Sequence, residues 1–207
     1  MKIEIWSDVV CPWCYIGKRR LEQALSQFEH ADEVEIFWRS FQLQPEARQG
    51  VAVPTLEYLA ERFGPQATQM TEHVAEVAKG DGLDLDFGKA LTVNTFDAHR
   101  LLHLASELGI ADAAKERLLH AHFTEGADLS DNDTLVALMK DAGADPDKTR
   151  QVLTNGEYGD EVRADIEEAR ALGANGVPFF VIDRKYGISG AQPAETFLHA
   201  LRTAHAG

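Results

Sequence analysis

Only two cysteines occur in the chain, Cys11 and Cys14, with Pro12 and Trp13 between them. A pair at this spacing does one of two kinds of chemistry. It forms half of a metal site, or it cycles between dithiol and disulfide, one sulfur attacking and its neighbour resolving. A structural zinc site needs two further ligands. The best candidates are His99 and His103, at i and i+4 of one helix. A centre built from these four residues is the minor reading. The plainer reading of the two histidines is a helix face near a domain junction. No metal and no bound cofactor are expected.

The setting of the pair favours redox chemistry. Cys11 follows a strand and a short loop and precedes an amphipathic helix. A helix N-terminus offers free N–H groups and a favourable dipole to an anion, here a thiolate. Pro12 suits the first turn, where its missing N–H is not needed. Cys14 falls nearly one turn later, within reach of Cys11. Cys11 is therefore expected as the exposed attacker and Cys14 as the more buried resolver. A helix dipole supplies ~0.3–1 kcal/mol at a surface and up to ~2 when partly buried. A tenfold change in acidity needs ~1.4 kcal/mol. The expectation is a moderately acidic Cys11. Lys18, Arg19 and Arg20 lie two turns on and should add little, Trp13 carries no charge, and Asp8 would oppose a thiolate that it faced.

The elements that must hold this pair follow from periodicity. Ile3 and Ile5 alternate with polar residues, a strand. Ile16, Leu21, Ala24, Leu25 and Phe28 have helical spacing. Val34, Ile36 and Trp38 alternate again, so residues 2–41 read as βαβ. The middle of the chain reads as helices only, with stripes such as Ala98, Leu101, Leu102, Ala105 and Leu108. Another helix covers Ala114, Leu118 and Phe123, with Gly126 after it. Ser130 and Asp133 resemble a capping box, and Val162, Ile166, Ala169 and Leu172 mark a long last helix. Strand character returns at Pro178–Ile182 and Tyr186–Ser189, a hairpin before a closing helix. A ββα end cannot bury its sheet alone. It must pack on the N-terminal βαβ, giving an α/β unit from residues 1–45 and 174–207 around an all-helical insertion, 46–173.

Composition narrows the partners. The 207 residues carry a net charge of −14, which argues against nucleic acid. No apolar run approaches a membrane span, so no membrane partner is expected. The opening MKIEIWSDVV places Glu4 and Asp8 where an export signal would be apolar, so a cytoplasmic protein is expected. In a reducing compartment a lone close pair of cysteines is catalytic or metal-binding rather than structural.

The segment Ser7-Asp8-Val9-Val10-Cys11-Pro12-Trp13-Cys14-Tyr15-Ile16-Gly17 resembles the active-site stretch of DsbA-family proteins of the FrnE type. So do Gly176-Val177-Pro178-Phe179-Phe180-Val181-Ile182 and Gly187-Ile188-Ser189-Gly190-Ala191-Gln192-Pro193, and so does Asn94–Arg100 in the middle of the chain. The resemblance spans the whole chain. It implies a thioredoxin-like fold with a helical insertion, a cis Val177–Pro178 bond facing the cysteines, and a Val177 backbone free to pair with an extended substrate. It also implies that Asn94, His99 and Arg100 line a pocket above Cys11. For Asn94 and Thr95, a helix cap is an equally good reading.

The same superfamily includes 2-hydroxychromene-2-carboxylate isomerases and kappa-class glutathione transferases, which typically carry serine where Cys11 stands. With both cysteines present, a full dithiol cycle is available. The leading expectation is a thiol–disulfide oxidoreductase, acting by reduction or isomerisation on a protein or a small thiol. The alternative is a glutathione-dependent isomerase or transferase using Cys11 alone, with glutathione as co-substrate. The oligomeric state stays open, a dimer among the choices.

Overall fold

The computed structural model describes all residues, 1–207. Strands β1 (Lys2–Ser7), β2 (Glu35–Ser40), β5 (Phe179–Ile182) and β6 (Tyr186–Ser189) form one sheet in the order β2-β1-β5-β6. β1 runs parallel to β2 and antiparallel to β5, and β5 and β6 form the expected hairpin. The turn places Asp183 and Arg184 at φ 47° and 59°. The two ends of the chain therefore meet through β1 and β5.

Alternation along these strands sets the two faces. Ile3, Ile5, Phe180 and Ile182 pack against Leu21 and Ala24 of α1 (Pro12–Leu25) and Phe197 and Leu201 of α9 (Ala194–Ala206). Trp6 and Val181 face the other way, onto Ala169 and Ala174. Ala169 belongs to α8 (Gly159–Ala171), the helix that the sequence reading placed in the insertion. It packs both on β2 and on the insertion helix Phe96–Glu107, so it bridges the sheet and the insertion. The Trp6 indole N–H donates to the Asp165 carbonyl at 2.8 Å, and the buried Asp165 carboxylate accepts the Ser40 N–H at 2.8 Å.

The insertion carries α2 (Thr55–Phe63), α3 (Gln66–Gly80), α4 (Phe96–Glu107), α5 (Ala111–His120), α6 (Asn132–Asp141) and α7 (Pro146–Asn155). Its core includes Leu101, Leu104, Leu118, Leu135, Met139 and Val152. It is not all-helical: β3 (Val53–Pro54) pairs antiparallel with β4 (Leu91–Thr92). A two-residue ribbon has too few positions to show alternation. A fourth cluster, with Tyr15, Ile16, Leu119 and Phe123, joins α1 to the insertion.

Two local expectations shift. Asp131, not Ser130, caps α6, its carboxylate accepting the Thr134 N–H at 2.7 Å; Ser130 turns back to Asp128. The helix expected to run through Phe123 widens into a π turn over Ala121–Glu125. It ends at Gly126, φ 73°, where a Cβ would lie 2.7 Å from the Lys89 Cβ. The widened turn rolls His122 and Phe123 inward, to 2% and 1% exposure. Burial pushes His122 down to about 4, so the ring is neutral at physiological pH. The close approach of α1 to β5 occurs at Gly17, whose added Cβ would meet Pro178 Cγ at 3.0 Å and Phe180 Cζ at 3.2 Å.

Gly17→Ala should therefore overpack this contact and lower stability by ~1–3 kcal/mol, read from denaturant unfolding, while slowing reaction of the adjacent thiols. His122 binds its proton more weakly folded than unfolded, so its contribution is complete above about pH 6.5 and lost as pH falls toward about 4. His122→Phe should remove about 3 kcal/mol of that acid-dependent loss, measured as a flatter stability-against-pH curve across the window.

Candidate active site

After β1 ends at Ser7, the chain turns, with the Cys11 N–H donating to the Asp8 carbonyl at 3.3 Å. Cys11 is then the N-cap of α1, extended at φ −95° and ψ 113°, and Pro12 is the first helical residue. The Cys11 carbonyl accepts the N–H groups of Cys14 at 3.1 Å and Tyr15 at 3.4 Å. This is the placement that the sequence implied. Both thiols are free.

Across from them, the Val177–Pro178 peptide bond is cis. The Cys11 thiol donates to the Val177 carbonyl, Sγ to oxygen 3.6 Å, while the Pro178 carbonyl is taken by the Gly190 N–H at 2.8 Å. Cys11, Cys14 and the Val177–Pro178 loop are thus one constellation. One expectation fails here. Cys11 is 3% exposed and Cys14 1%, so Cys11 is not an open surface thiol: the cis-imide loop covers it on the sheet side.

The two sulfurs act directly on one another and titrate as a pair. Cys14 is held below the ordinary thiol range: burial works against its charge, but the neighbouring Cys11 thiol, the charge of Lys115, the Ser7 hydroxyl and the Asp8 N–H outweigh it. Cys11 is pushed well above that range by its hydrogen bond to Cys14, by burial and by the Cys14 charge, with Asp8 adding to the effect.

Asp8 does bear on the pair. It is fully buried, and its carboxylate accepts the Leu43 N–H at 2.8 Å and the His99 Nε2–H at 3.1 Å. Burial would raise its pKa, but His99 and Leu43 overcome that and hold it below the usual carboxylate range. Lys18, Arg19 and Arg20 are neutralised locally, by Glu22, Asp112, Glu116 and Asp81.

A cavity of about 190 Å³ opens beside the N-terminus of α1, lined by Pro12 and Trp13 together with Leu59, Val74, Gln44 and His122 among others. Its wall is mainly apolar, yet Gln44 Oε1 and His122 Nδ1 are buried there without hydrogen-bond partners. A second cleft, of about 370 Å³, lies at the opposite end of the sheet and is lined by Lys2, Glu4, Phe37, Arg39, Asp183 and Arg184. It holds none of the sulfur chemistry.

Asn94, His99 and Arg100 do not line the cavity beside Cys11. Asn94 accepts the Phe96 N–H at 2.9 Å and donates to the Ala47 carbonyl at 2.6 Å, the helix-start role that the plainer reading allowed. Arg100 is 4% exposed and spends its guanidinium on Asp97 and on the carbonyls of Val152, Leu153 and Glu157. His99 acts on the pair through Asp8. His103 lies against Asp165, 3.1 Å away, and Ser40, so the two histidines and the two cysteines do not converge. Sequence reasoning missed Lys115 and His122. A lysine on the buried stripe of Ala114, Leu118 and Leu119 was the signal for the first. The second had none, because the π turn that rolls it inward departs from the 3.6 period.

The model of the DSBA-like thioredoxin domain family matches residues 2–202. The chain is 44% identical to a probable DsbA oxidoreductase, SCO1869, from Streptomyces coelicolor, covering all of this chain and 90% of that one, with a TM-score of 0.94. It shares its fold with the cytosolic disulfide reductase DsbM from Pseudomonas aeruginosa, solved with GSH, at 16% identity, complete coverage of both chains and a TM-score of 0.68. A 2-hydroxychromene-2-carboxylate isomerase gives 15% identity, coverage of 100% and 95%, and a TM-score of 0.68. A match from one end of the sheet to the other, with a cysteine pair at a helix start facing a cis-proline loop, places this chain in the DSBA-like thioredoxin domain family, a family of oxidoreductases.

Proposed function

We propose that the protein is a thiol–disulfide oxidoreductase working through Cys11 and Cys14. The observation that carries this reading is the position of the Cys11 sulfur at the N-cap of a helix, between the Val177 carbonyl and Cys14. Cys11 attacks one sulfur of a substrate disulfide while its proton passes to the Cys14 anion. The substrate S–S bond breaks, and its other half leaves as a thiolate that solvent protonates. Cys14 then loses its proton and attacks Cys11, forming the internal disulfide and releasing the second half of the substrate. Starting from the monoanion, the pair gives up two electrons and one proton; the substrate disulfide takes up both electrons, and its two halves leave as thiolates whose protons come from that one proton and from solvent.

The backbone of Val177 fits an approaching extended substrate, since its residue lies just before a strand with its N–H outside the fold's hydrogen bonds. Pro178 has no N–H to offer a sulfur. Pro12 and Trp13 form the lip of the cavity into which a substrate side group fits. In a reducing cytoplasm the pair rests as the dithiol, so reduction or isomerisation is the net direction and glutathione is a suitable co-substrate. The fold shared with DsbM, a cytosolic disulfide reductase solved with GSH, is in keeping with this reading. The second reading is glutathione-dependent isomerisation or transfer through Cys11 alone. The shared fold of the chromene-carboxylate isomerase and the apolar cavity favour it.

Cys14→Ser separates the two. Disulfide exchange should stall at a mixed disulfide on Cys11, seen by mass as one retained substrate half, with turnover reduced by at least a hundredfold. Isomerase or transferase turnover should survive. The decisive measurement on the unaltered chain is Trp13 fluorescence in graded glutathione buffers. A reversible two-electron transition is expected, and its absence would remove the redox reading.

A further inference from the structure

The cavity beside the N-terminus of α1 measures about 190 Å³ and has no charged side chain in its lining. Trp13, Leu59, Val74, Phe87 and Phe123 make up much of the wall. An apolar void of about 150 Å³ binds benzene, so this one admits a single ring-sized group. Its threonines are committed within the fold. Thr55 and Thr92 bond to one another at 3.2 Å, and the Thr71 hydroxyl donates to the Thr68 carbonyl at 2.9 Å. Gln44 and His122 differ. His122 is 2% exposed, and both Gln44 Oε1 and His122 Nδ1 are buried at the cavity without a partner.

A polar atom buried in an apolar wall is costly when nothing meets it. Packing requires neither group, since an apolar side chain of similar size would line the cavity at lower cost. The two atoms therefore specify what enters. Gln44 Oε1 only accepts. Burial keeps the His122 ring neutral, so its Nδ1 accepts or donates according to tautomer. A carboxylate cannot donate to Gln44 and finds no cation in the wall. An ammonium finds no counter-charge. A hydroxyl donates to Gln44 Oε1 and suits His122 Nδ1 in either tautomer, without bringing a charge. A ring-sized apolar body with a hydroxyl thus meets the size, the wall and the polar atoms together.

Taking the redox reading above as its basis, we propose that Gln44 and His122 determine substrate specificity, selecting a thiol or disulfide whose sulfur-bearing unit ends in an uncharged, ring-sized apolar group with a hydroxyl. Pro12 and Trp13 line the cavity and directly follow Cys11 in the chain. A group seated against them is held close to the reacting sulfur. The ionised ends of glutathione find no counterpart in this wall, so glutathione reacts from outside the cavity. A small phenolic thiol and a tyrosine beside a substrate cysteine present the same chemistry to Gln44 and His122.

Binding is read first without any sulfur reaction, by calorimetry with 4-ethylphenol, 4-ethyltoluene and 4-ethylbenzoate. Hydroxyl and methyl are similar in size, and apolar burial alone favours the methyl compound. The unaltered chain should instead bind 4-ethylphenol about tenfold more tightly than either of the others. The ring nitrogen shifts of His122 should move with the phenol and not with the toluene. Gln44→Met and His122→Phe should each bring the preference toward one, and the second also assigns the ring signal. Reaction is read next, as single-turnover oxidation of the reduced protein by the bis(2-arylethyl) disulfides of the same three groups. Their two-carbon spacer keeps the leaving thiols alike, and the hydroxyl member should react about tenfold faster. Peptide disulfides with tyrosine or 4-methylphenylalanine beside the cysteine identify the source. A preference for tyrosine there assigns a polypeptide substrate, and its absence beside a preference in the aryl series assigns a small thiol. Equal or tighter binding of 4-ethyltoluene by the unaltered chain would overturn the assignment, as would a preference that survives both substitutions. Binding of 4-ethylphenol with no reaction of any disulfide would count against the redox reading alone and leave the cavity assignment standing.

Discussion

The pairing of β1 with β5 is the constraint on which the site depends. Ile3 to Trp6 lie against Ile182 to Phe179, and no other contact brings the first strand to residues more than 170 positions away in such close register. The ladder ends with Trp6 opposite Phe179, so the chain leaves β1 toward Cys11 where it enters β5 from Pro178. A slip of one residue would turn Ile5 and Phe180 off the α1–α9 face and carry Trp6 away from α8. The apolar packing on both faces, more than the hydrogen bonds, therefore sets where the cis-imide loop meets the sulfur.

Around that junction the fold does something that hydrophobic packing alone would not. Cys11, Cys14, Asp8, His99, Lys115 and His122 are all nearly or fully buried. Each group is charged or neutral because of its neighbours. Asp8 keeps its charge through Leu43 and His99, His122 loses its own to burial, and Cys14 is held below the ordinary thiol range. Low polarisability around these groups magnifies each interaction.

The insertion is what supplies these neighbours. His99 comes from α4, Lys115 from α5 and His122 from the π turn that follows. The thioredoxin-like part provides the sulfurs, the helix start and the cis proline. The cavity beside Trp13 lies between the two, with Pro12 and Trp13 on one side and Leu59, Val74 and His122 on the other. Chemistry and access are thus divided between the two parts of the chain, with Tyr15, Ile16, Leu119 and Phe123 packing them together.

Much of this was legible in the residues. Strand alternation at Ile3 and Ile5, the helix behind Pro12, the helical stripes and the final hairpin are local patterns, written by periods of two and 3.6, and they recur in the structure. Cys11, Cys14 and Pro178 were named from spacing, context and family likeness, and the fold brings them together. Tertiary structure alone decided the rest. The burial of Cys11, the joint titration of the two sulfurs and the packing of α8 between sheet and insertion depend on partners far away in sequence. Asn94 and Arg100 proved to be held largely by backbone groups, and Lys115, on a helix stripe that looked merely apolar, proved to be buried against the Trp38 ring. A sequence states which groups can ionise and which faces must be covered, because those follow from side-chain chemistry and local period. Which charge ends beside which sulfur depends on distances of a few ångströms across the core, and these exist only once the chain has closed.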